Sequence, residues 1–80
     1  MTLKVLFFGI TRDLIGANET TMNLQQKTTV ADFKKALKKS YPVLEKLNSY
    51  AIAVNEVYAE DSLKLNSTDI IAIIPPVSGG

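Results

Sequence analysis

Four segments of the chain have the length and composition of β-strands. They are rich in hydrophobic and β-branched residues, and turn residues bound each of them. A shorter apolar piece precedes the last segment, ahead of a turn at 66–69. The predicted strands cover residues 3–8, 20–24, 49–54 and 70–74, with the short piece at 63–65. The first two are expected to pair antiparallel.

Between the second and third strands, the hydrophobic period changes to that of a helix. The apolar face of this helix is formed by Val30, Phe33, Ala36, Leu37 and Tyr41. Thr29, followed three residues later by Asp32, is typical of a helix N-terminus, and Pro42 marks the end. A short helical turn closed by Gly16 is predicted at 11–16. The pattern as a whole predicts one compact α/β domain without repeats or linkers.

The strands are apolar on both faces, which one helix cannot cover. Successive side chains of a strand point to opposite faces of the sheet. The residues left as candidates for an exposed patch are Leu6, Phe8, Ile70 and Ile74. Such patches often mark protein interfaces. The alternative is that segment 43–48 or 55–62 folds over this face.

Composition narrows the function classes. The chain has 80 residues, a net charge of +1, and neither His nor Cys. It therefore lacks the usual general base, nucleophile and best metal ligands. Asp61 and Asp69 are interpreted as solvated or backbone-bonded turn carboxylates. No signal-peptide or membrane-spanning pattern is present, so the expected location is the cytoplasm.

One basic cluster is present on the main helix. It consists of Lys34, Lys35, Lys38 and Lys39. Without interleaved aromatic residues it is a poor candidate for nucleic-acid binding. A solvated helix face is the favoured interpretation, and a supporting role in docking an acidic partner is the alternative.

The end of the chain is the strongest functional signal. Pro75 and Pro76 stop the last strand, because neither has an N–H for the sheet. The segment from Pro75 to Gly80 can reach roughly 20 Å when extended. Gly79 and Gly80 carry no side chain, so this end could enter a narrow active site in another protein. The alternative is an ordinary frayed terminus.

Several motifs together resemble the molybdopterin synthase small subunit, the MoaD type of ubiquitin-like sulfur carrier. The resemblance runs through the whole chain in order. It rests on residues 3–14, 29–33, 53–56 and, above all, on the ending Ile73-Ile74-Pro75-Pro76-Val77-Ser78-Gly79-Gly80. One departure is Ser67-Thr68-Asp69, where the family commonly has Asp-Gly-Asp, so the turn type at 66–69 is left open.

The resemblance implies an α+β fold of the β-grasp, ubiquitin-like class. A mixed sheet of about four or five strands would wrap one main helix, with short extra helical turns. The β-grasp domain would span 1–74, and 75–80 would be a flexible Gly-Gly tail. The implied role is that of a sulfur carrier subunit, with no catalytic activity or bound cofactor of its own.

The family also implies the chemistry and the partners. A MoeB-type adenylating enzyme would use ATP and Mg²⁺ to activate the Gly80 carboxylate, which then becomes a thiocarboxylate. A large MoaE-type subunit, in a 2:2 heterotetramer, would accept the tail. The sulfur would pass to cyclic pyranopterin monophosphate to form the dithiolene of molybdopterin. No nucleic-acid or membrane partner is implied.

Matching positions assign the site residues. Gly80 would carry the adenylate and the sulfur. The resemblance assigns partner contacts to Phe8, Arg12, Tyr58, Ile74, Pro75, Pro76, Val77, Ser78 and Gly79. Arg12 would lie near the tail-activating enzyme, although an Arg after a strand is otherwise an ordinary surface charge.

Three alternatives to molybdopterin synthesis remain open. The chain could carry sulfur in another pathway or modify proteins through an isopeptide bond from Gly80. It could also be a noncatalytic ubiquitin-like interaction module.

Overall fold

A computed structural model describes residues 1–47 and 49–75 of the chain. The elements, in chain order, are β1 (Thr2–Phe7), α1 (Ile10–Ile15), β2 (Glu19–Asn23), α2 (Val30–Ser40), a 3₁₀ helix (Pro42–Lys46), β3 (Ala51–Val54), β4 (Val57–Tyr58) and β5 (Ile70–Ile74). The predicted tail lies outside the described residues from position 76 onward. Within the described ranges, no helix is long and apolar enough to cross a membrane.

The five strands form one mixed sheet in the order β2-β1-β5-β3-β4. The first and last strands, β1 and β5, are parallel neighbours at its centre, and the other pairs are antiparallel. The prediction of an α+β fold, with a mixed sheet wrapped on one main helix, is confirmed. The piece at 63–65 is not a strand but an isolated bridge between Thr29 and Lys64.

The core lies between one face of the sheet and α2. Helical spacing puts Val30, Phe33 and Leu37 on the same side of α2, and all three are fully buried. From the sheet, alternate residues of three strands meet them. These are Leu3, Val5, Phe7, Ile52, Val54, Ile71 and Ile73. Leu44 and Leu65 complete the same cluster.

The ends of α2 follow the sequence prediction. The Thr29 hydroxyl accepts a hydrogen bond from the backbone N–H of Asp32 at 3.2 Å. The helix ends at Ser40, and Pro42 opens the 3₁₀ helix. The lysine face of α2 is mostly exposed to solvent.

Two of these lysines form surface ion pairs. Lys34 is 2.8 Å from Asp61, and Lys38 is 3.3 Å from Glu45. Both pairs are solvated, so each is worth about 1 kcal/mol or less.

Neither segment proposed as a cover for the second face of the sheet covers it. The 3₁₀ helix contacts α1 and α2, and its Leu44 is buried in the core on the helix side. The 55–62 segment instead contributes β4, which pairs with β3 and extends the sheet sideways. The outer face is therefore open in the part of the chain that the structure describes.

A polar clamp joins the β3–β4 hairpin to the turn before β5. Asp69 accepts hydrogen bonds from the Asn55 side-chain amide at 2.9 Å and from the Asn66 backbone N–H at 2.7 Å. The Asn55 side-chain oxygen accepts from the Ile70 N–H at 2.9 Å. The turn needs no glycine, since Ser67 and Thr68 have negative φ, and the Asp69 N–H donates to the Asn66 carbonyl.

Gly9 makes the sharp connection between β1 and α1. Its φ of 55° and ψ of −134° match the first central position of a type II′ turn, which favours glycine. The Thr11 N–H closes the turn on the Phe8 carbonyl at 3.2 Å. A Cβ at Gly9 would lie 3.0 Å from Cγ of Pro75, so the turn packs directly against the residue that follows β5.

We expect Asp69→Ala to lower the free energy of unfolding by about 1–3 kcal/mol, because the Asn55 amide and the Asn66 N–H lose a partner in a partly buried site. The control is Asp61→Ala, which removes a solvated ion pair and should cost about 1 kcal/mol or less. Urea denaturation of the two variants checks the difference. Equal losses would show that the clamp contributes no more than a surface pair.

Gly9→Ala should destabilise the domain more than Gly16→Ala. Both glycines have positive φ, and an alanine there costs about 1–2 kcal/mol. Gly16 has no atom within 4 Å of an added Cβ, whereas Gly9 also meets Pro75. Thermal unfolding of the two variants measures the added cost, and shortening the neighbour in Gly9→Ala/Pro75→Ala should recover part of it. A lack of recovery would contradict the proposed contact.

Candidate docking groove and tail base

The exposed face of the sheet carries a row of side chains that run across four strands. Strand register places Leu6 beside Ala72, Ala72 beside Ala53, and Ala53 beside Tyr58. The two alanines in the middle are small, while Leu6 and Tyr58 at the ends are large. The row therefore forms a shallow trough instead of a flat surface.

This trough is part of a groove of about 590 Å³. We call it the outer groove. Its lining consists of Leu6, Phe8, Ala53, Asn55, Glu56, Tyr58, Ile70, Ala72 and Ile74. Most of these side chains are apolar, and Phe8 is 49% exposed, Tyr58 70% and Ile70 43%. Large apolar side chains gathered at this exposure are typical of a surface that binds another protein.

The structure brings three of the predicted contact residues together in this groove. Phe8 lies just beyond β1, Tyr58 lies on β4, and Ile74 ends β5. Arg12 is exposed on α1, outside the groove lining. Pro75 is partly buried beside Gly9. The remaining predicted positions, Pro76, Val77, Ser78, Gly79 and Gly80, lie outside the described residues.

Sequence reasoning missed the floor and one rim of the groove. Ala53 and Ala72 form the floor, and their alternation with isoleucine and valine neighbours in β3 and β5 would have indicated the outer face. Glu56 was missed because it lies in the loop before β4, and a strand of two residues gives no readable period from which that loop could be located. Nothing in the sequence pattern marked Val57–Tyr58 as a strand.

The base of the tail is held by hydrogen bonds around Thr11, a fully buried polar residue. Its hydroxyl accepts from the Phe8 N–H at 3.0 Å and donates to the Phe8 carbonyl. The Ile73 carbonyl lies 3.4 Å from the same oxygen and accepts from the Phe8 N–H at 3.3 Å. The last residues of β5 are thus fixed to the start of α1, directly before Pro75.

The charges around the groove are few. On the β2 side, Lys4 and Glu19 form an ion pair at 3.3 Å. Glu56 is the one charged residue in the groove lining among the residues that the structure describes.

Away from this face, burial raises the pKa of Tyr50, while the nearby Lys34 and Lys38 partly oppose the rise, so its phenol stays neutral near pH 7.

The described residues offer an apolar surface but little catalytic chemistry. No group of three or more His, Cys, Asp or Glu side chains among them is placed to hold a metal ion. What this part of the chain offers is an apolar groove for a partner, lined at one end by Ile74, the last residue of β5.

Comparison with known proteins gives one family and close structural likenesses. The ThiS family profile matches residues 5–80. The molybdopterin synthase sulfur carrier subunit of Caenorhabditis elegans is 35% identical over 83 residues, with 100% of this chain and 99% of that protein covered.

Two solved structures share the fold over their full lengths. The crystal structure of SAMP1 from Haloferax volcanii has a TM-score of 0.87 at 22% identity, with 100% of both chains covered, and shows the ubiquitin-like fold alone. A chain from the complex of subunits 1 and 2 of molybdopterin-converting factor from Helicobacter pylori has a TM-score of 0.71 at 26% identity, again with 100% of both chains covered.

The family profile matches nearly the whole length of the chain, and the architecture and the groove beside the tail base are consistent with that match. The chain belongs to the ThiS family and is a relative of the molybdopterin synthase sulfur carrier subunits.

Proposed function

We propose that this protein is the sulfur carrier subunit of a molybdopterin synthase. The observation that carries the proposal is the position of Ile74, which both lines the outer groove and directly precedes the Pro-Pro-Val-Ser-Gly-Gly ending. A single partner that covers the groove therefore lies next to the start of the tail. The full-length relative from Caenorhabditis elegans carries the same named role.

The proposed chemistry takes place at the Gly80 carboxylate. A carboxylate is a poor electrophile, so an oxygen of Gly80 first attacks the α-phosphate of ATP and releases pyrophosphate. A sulfur donor then displaces AMP from the acyl-adenylate and leaves a thiocarboxylate. That sulfur attacks a side-chain carbon of cyclic pyranopterin monophosphate and displaces an oxygen from it, which forms a thioester to Gly80. Water then cleaves the acyl–sulfur bond, so the sulfur stays on the pterin and Gly80 returns to a carboxylate. Two such transfers supply the two sulfurs of the dithiolene.

Each step draws its catalytic groups from a partner. We propose a MoeB-type enzyme, with ATP and Mg²⁺ bound to it, for adenylation, and a large MoaE-type subunit for transfer. The Helicobacter pylori relative was solved as a complex of two subunits, which supports a partner of the second kind. A 2:2 assembly is proposed by analogy with the family.

The proposed contacts divide into two groups. Phe8, Tyr58 and Ile74 supply the apolar anchors in the groove, and Arg12 faces the adenylating enzyme. The second group occupies the channel that leads to the active site of the partner. It consists of Pro75, Pro76, Val77, Ser78 and Gly79. A proline pair limits the freedom that this segment loses on binding, which favours association.

Changing the very end of the chain tests the carboxylate chemistry. Deleting Gly80, or adding one alanine after it, should abolish thiocarboxylation, because the terminal carboxylate is then no longer at the reacting position in the active site of the adenylating enzyme. Both variants should unfold at the wild-type temperature. Intact-mass spectrometry after incubation with the adenylating enzyme, ATP and a sulfur source shows whether sulfur has replaced oxygen. Normal sulfur loading of either variant would rule out the proposed role of Gly80, and covalent protein adducts in place of sulfur would favour a modifier.

A charge in the groove tests the docking surface. Phe8→Asp should weaken binding to the large subunit by about 2–4 kcal/mol, as for a central apolar anchor. Leu63→Asp is the matched control, since Leu63 is 44% exposed but does not line the groove. Calorimetric titration compares the two.

Stability separates a docking residue from a core residue. Phe33 is fully buried, so Phe33→Ala should cost roughly 3–5 kcal/mol of folding free energy, and Phe8→Asp much less. If Phe8→Asp unfolds the domain, Phe8 belongs to the core and the docking assignment is wrong.

A further inference from the structure

The tight loop between β3 and β4 holds a glutamate in a backbone conformation that suits glycine. Asn55 and Glu56 are the two loop residues, with φ of 51° and 70°. Positive φ at both positions is the mark of a type I′ turn, which favours Asn followed by Gly. Asn55 fits this rule and also joins the clamp with Asp69. Glu56 does not fit it, and its side chain adds strain that a glycine would avoid.

The fold gains no visible compensation from this glutamate. In the described part of the chain, Glu56 takes part in no ion pair or side-chain hydrogen bond. It is exposed at the rim of the outer groove, where it is the one charged lining residue described. The charges of Lys4 and Glu19, on the opposite flank of this face, already neutralise each other. A residue that is held in a strained backbone conformation and has no partner within the fold suggests a role in function.

We propose that Glu56 selects the partner of this groove by receiving a Lys or Arg side chain. This inference rests on the proposed function, because it takes the large synthase subunit as the occupant. A partner segment that fills an apolar groove also removes water from its rim. A carboxylate left unpaired there would oppose binding, whereas a cation of the partner placed opposite would form a charge-assisted hydrogen bond. Glu56 therefore favours a basic, apolar segment and disfavours an acidic one.

This role predicts opposite effects on stability and binding. Glu56→Gly relieves the backbone strain, so the isolated domain should unfold at a higher temperature than the wild type. The same change removes the rim charge, so affinity for the large subunit should fall. A residue with a merely structural role would move both quantities in the same direction.

The experiment is a calorimetric titration of the purified large subunit into wild-type, Glu56→Gln and Glu56→Lys carrier at low and high salt. Glu60→Gln and Glu60→Lys are the matched controls, since Glu60 is exposed, lies four residues away and does not line the groove. We expect Kd to rise about 5-fold for Glu56→Gln and about 30-fold for Glu56→Lys, with the differences shrinking at high salt. The Glu60 variants should stay within about twofold of wild type.

The outcomes separate this inference from the function on which it rests. If wild type binds and the Glu56 and Glu60 variants have the same affinities, the selection role is overturned while the docking proposal stands. If wild type does not bind the large subunit, the docking proposal fails and this inference with it. If Glu56→Gly does not raise the unfolding temperature, the strain argument is wrong and the inference loses its basis.

Discussion

The structure depends on one helix having to cover a five-stranded sheet. An α-helix offers one apolar stripe, and in α2 that stripe holds Val30, Phe33 and Leu37, all fully buried against the inner face. The second face receives no such cover from the described residues, yet its strands are apolar as well. The exposed groove is therefore a direct consequence of the element count. The core is formed without it, which leaves these side chains free to serve a partner.

The position of the tail follows from a second constraint, the parallel pairing of the first and last strands. Parallel strands end at the same edge of a sheet, so Phe8 and Gly9 after β1 meet Pro75 after β5. The central position of both strands gives each a neighbour on either side. Thr11 then ties the two ends together from α1. The chain that follows Ile74 thus starts from a point fixed both by strand pairing and by the hydrogen bonds around Thr11.

Much of this arrangement could be predicted from the chain itself. Runs of hydrophobic and β-branched residues between turn residues predicted β1, β2, β3 and β5 to within two residues, and Thr29, Asp32 and Pro42 predicted the limits of α2. Strand parity also predicts that Leu6, Phe8, Ile70 and Ile74 share one face, and all four line the outer groove. These predictions succeeded because they rest on local spacing, which the tertiary structure did not override.

The rest depended on contacts between distant segments. A two-residue strand such as Val57–Tyr58 has no period to read and exists because β3 offers it an edge. The Asn55–Asp69 hydrogen bond joins residues 14 apart in sequence, and the contact of Gly9 with Pro75 spans nearly the whole chain. Alternation can place Ala53 and Ala72 on the outer face, but that they lie side by side as a groove floor appears only once the register of β3 on β5 is known. Spacing rules carry no information about such pairings.

The proposed role also accounts for the shallowness of the groove. A carrier has to leave the enzyme that activates it before it can meet the subunit that accepts its sulfur, so neither interface can be too stable. Because the floor is alanine, the depth of the groove is set by the height of its walls, Leu6 and Tyr58, and that height limits the apolar area that a partner side chain can bury. Affinity then depends on a few anchors such as Phe8 and Tyr58, while charge at the rim decides which partner fits.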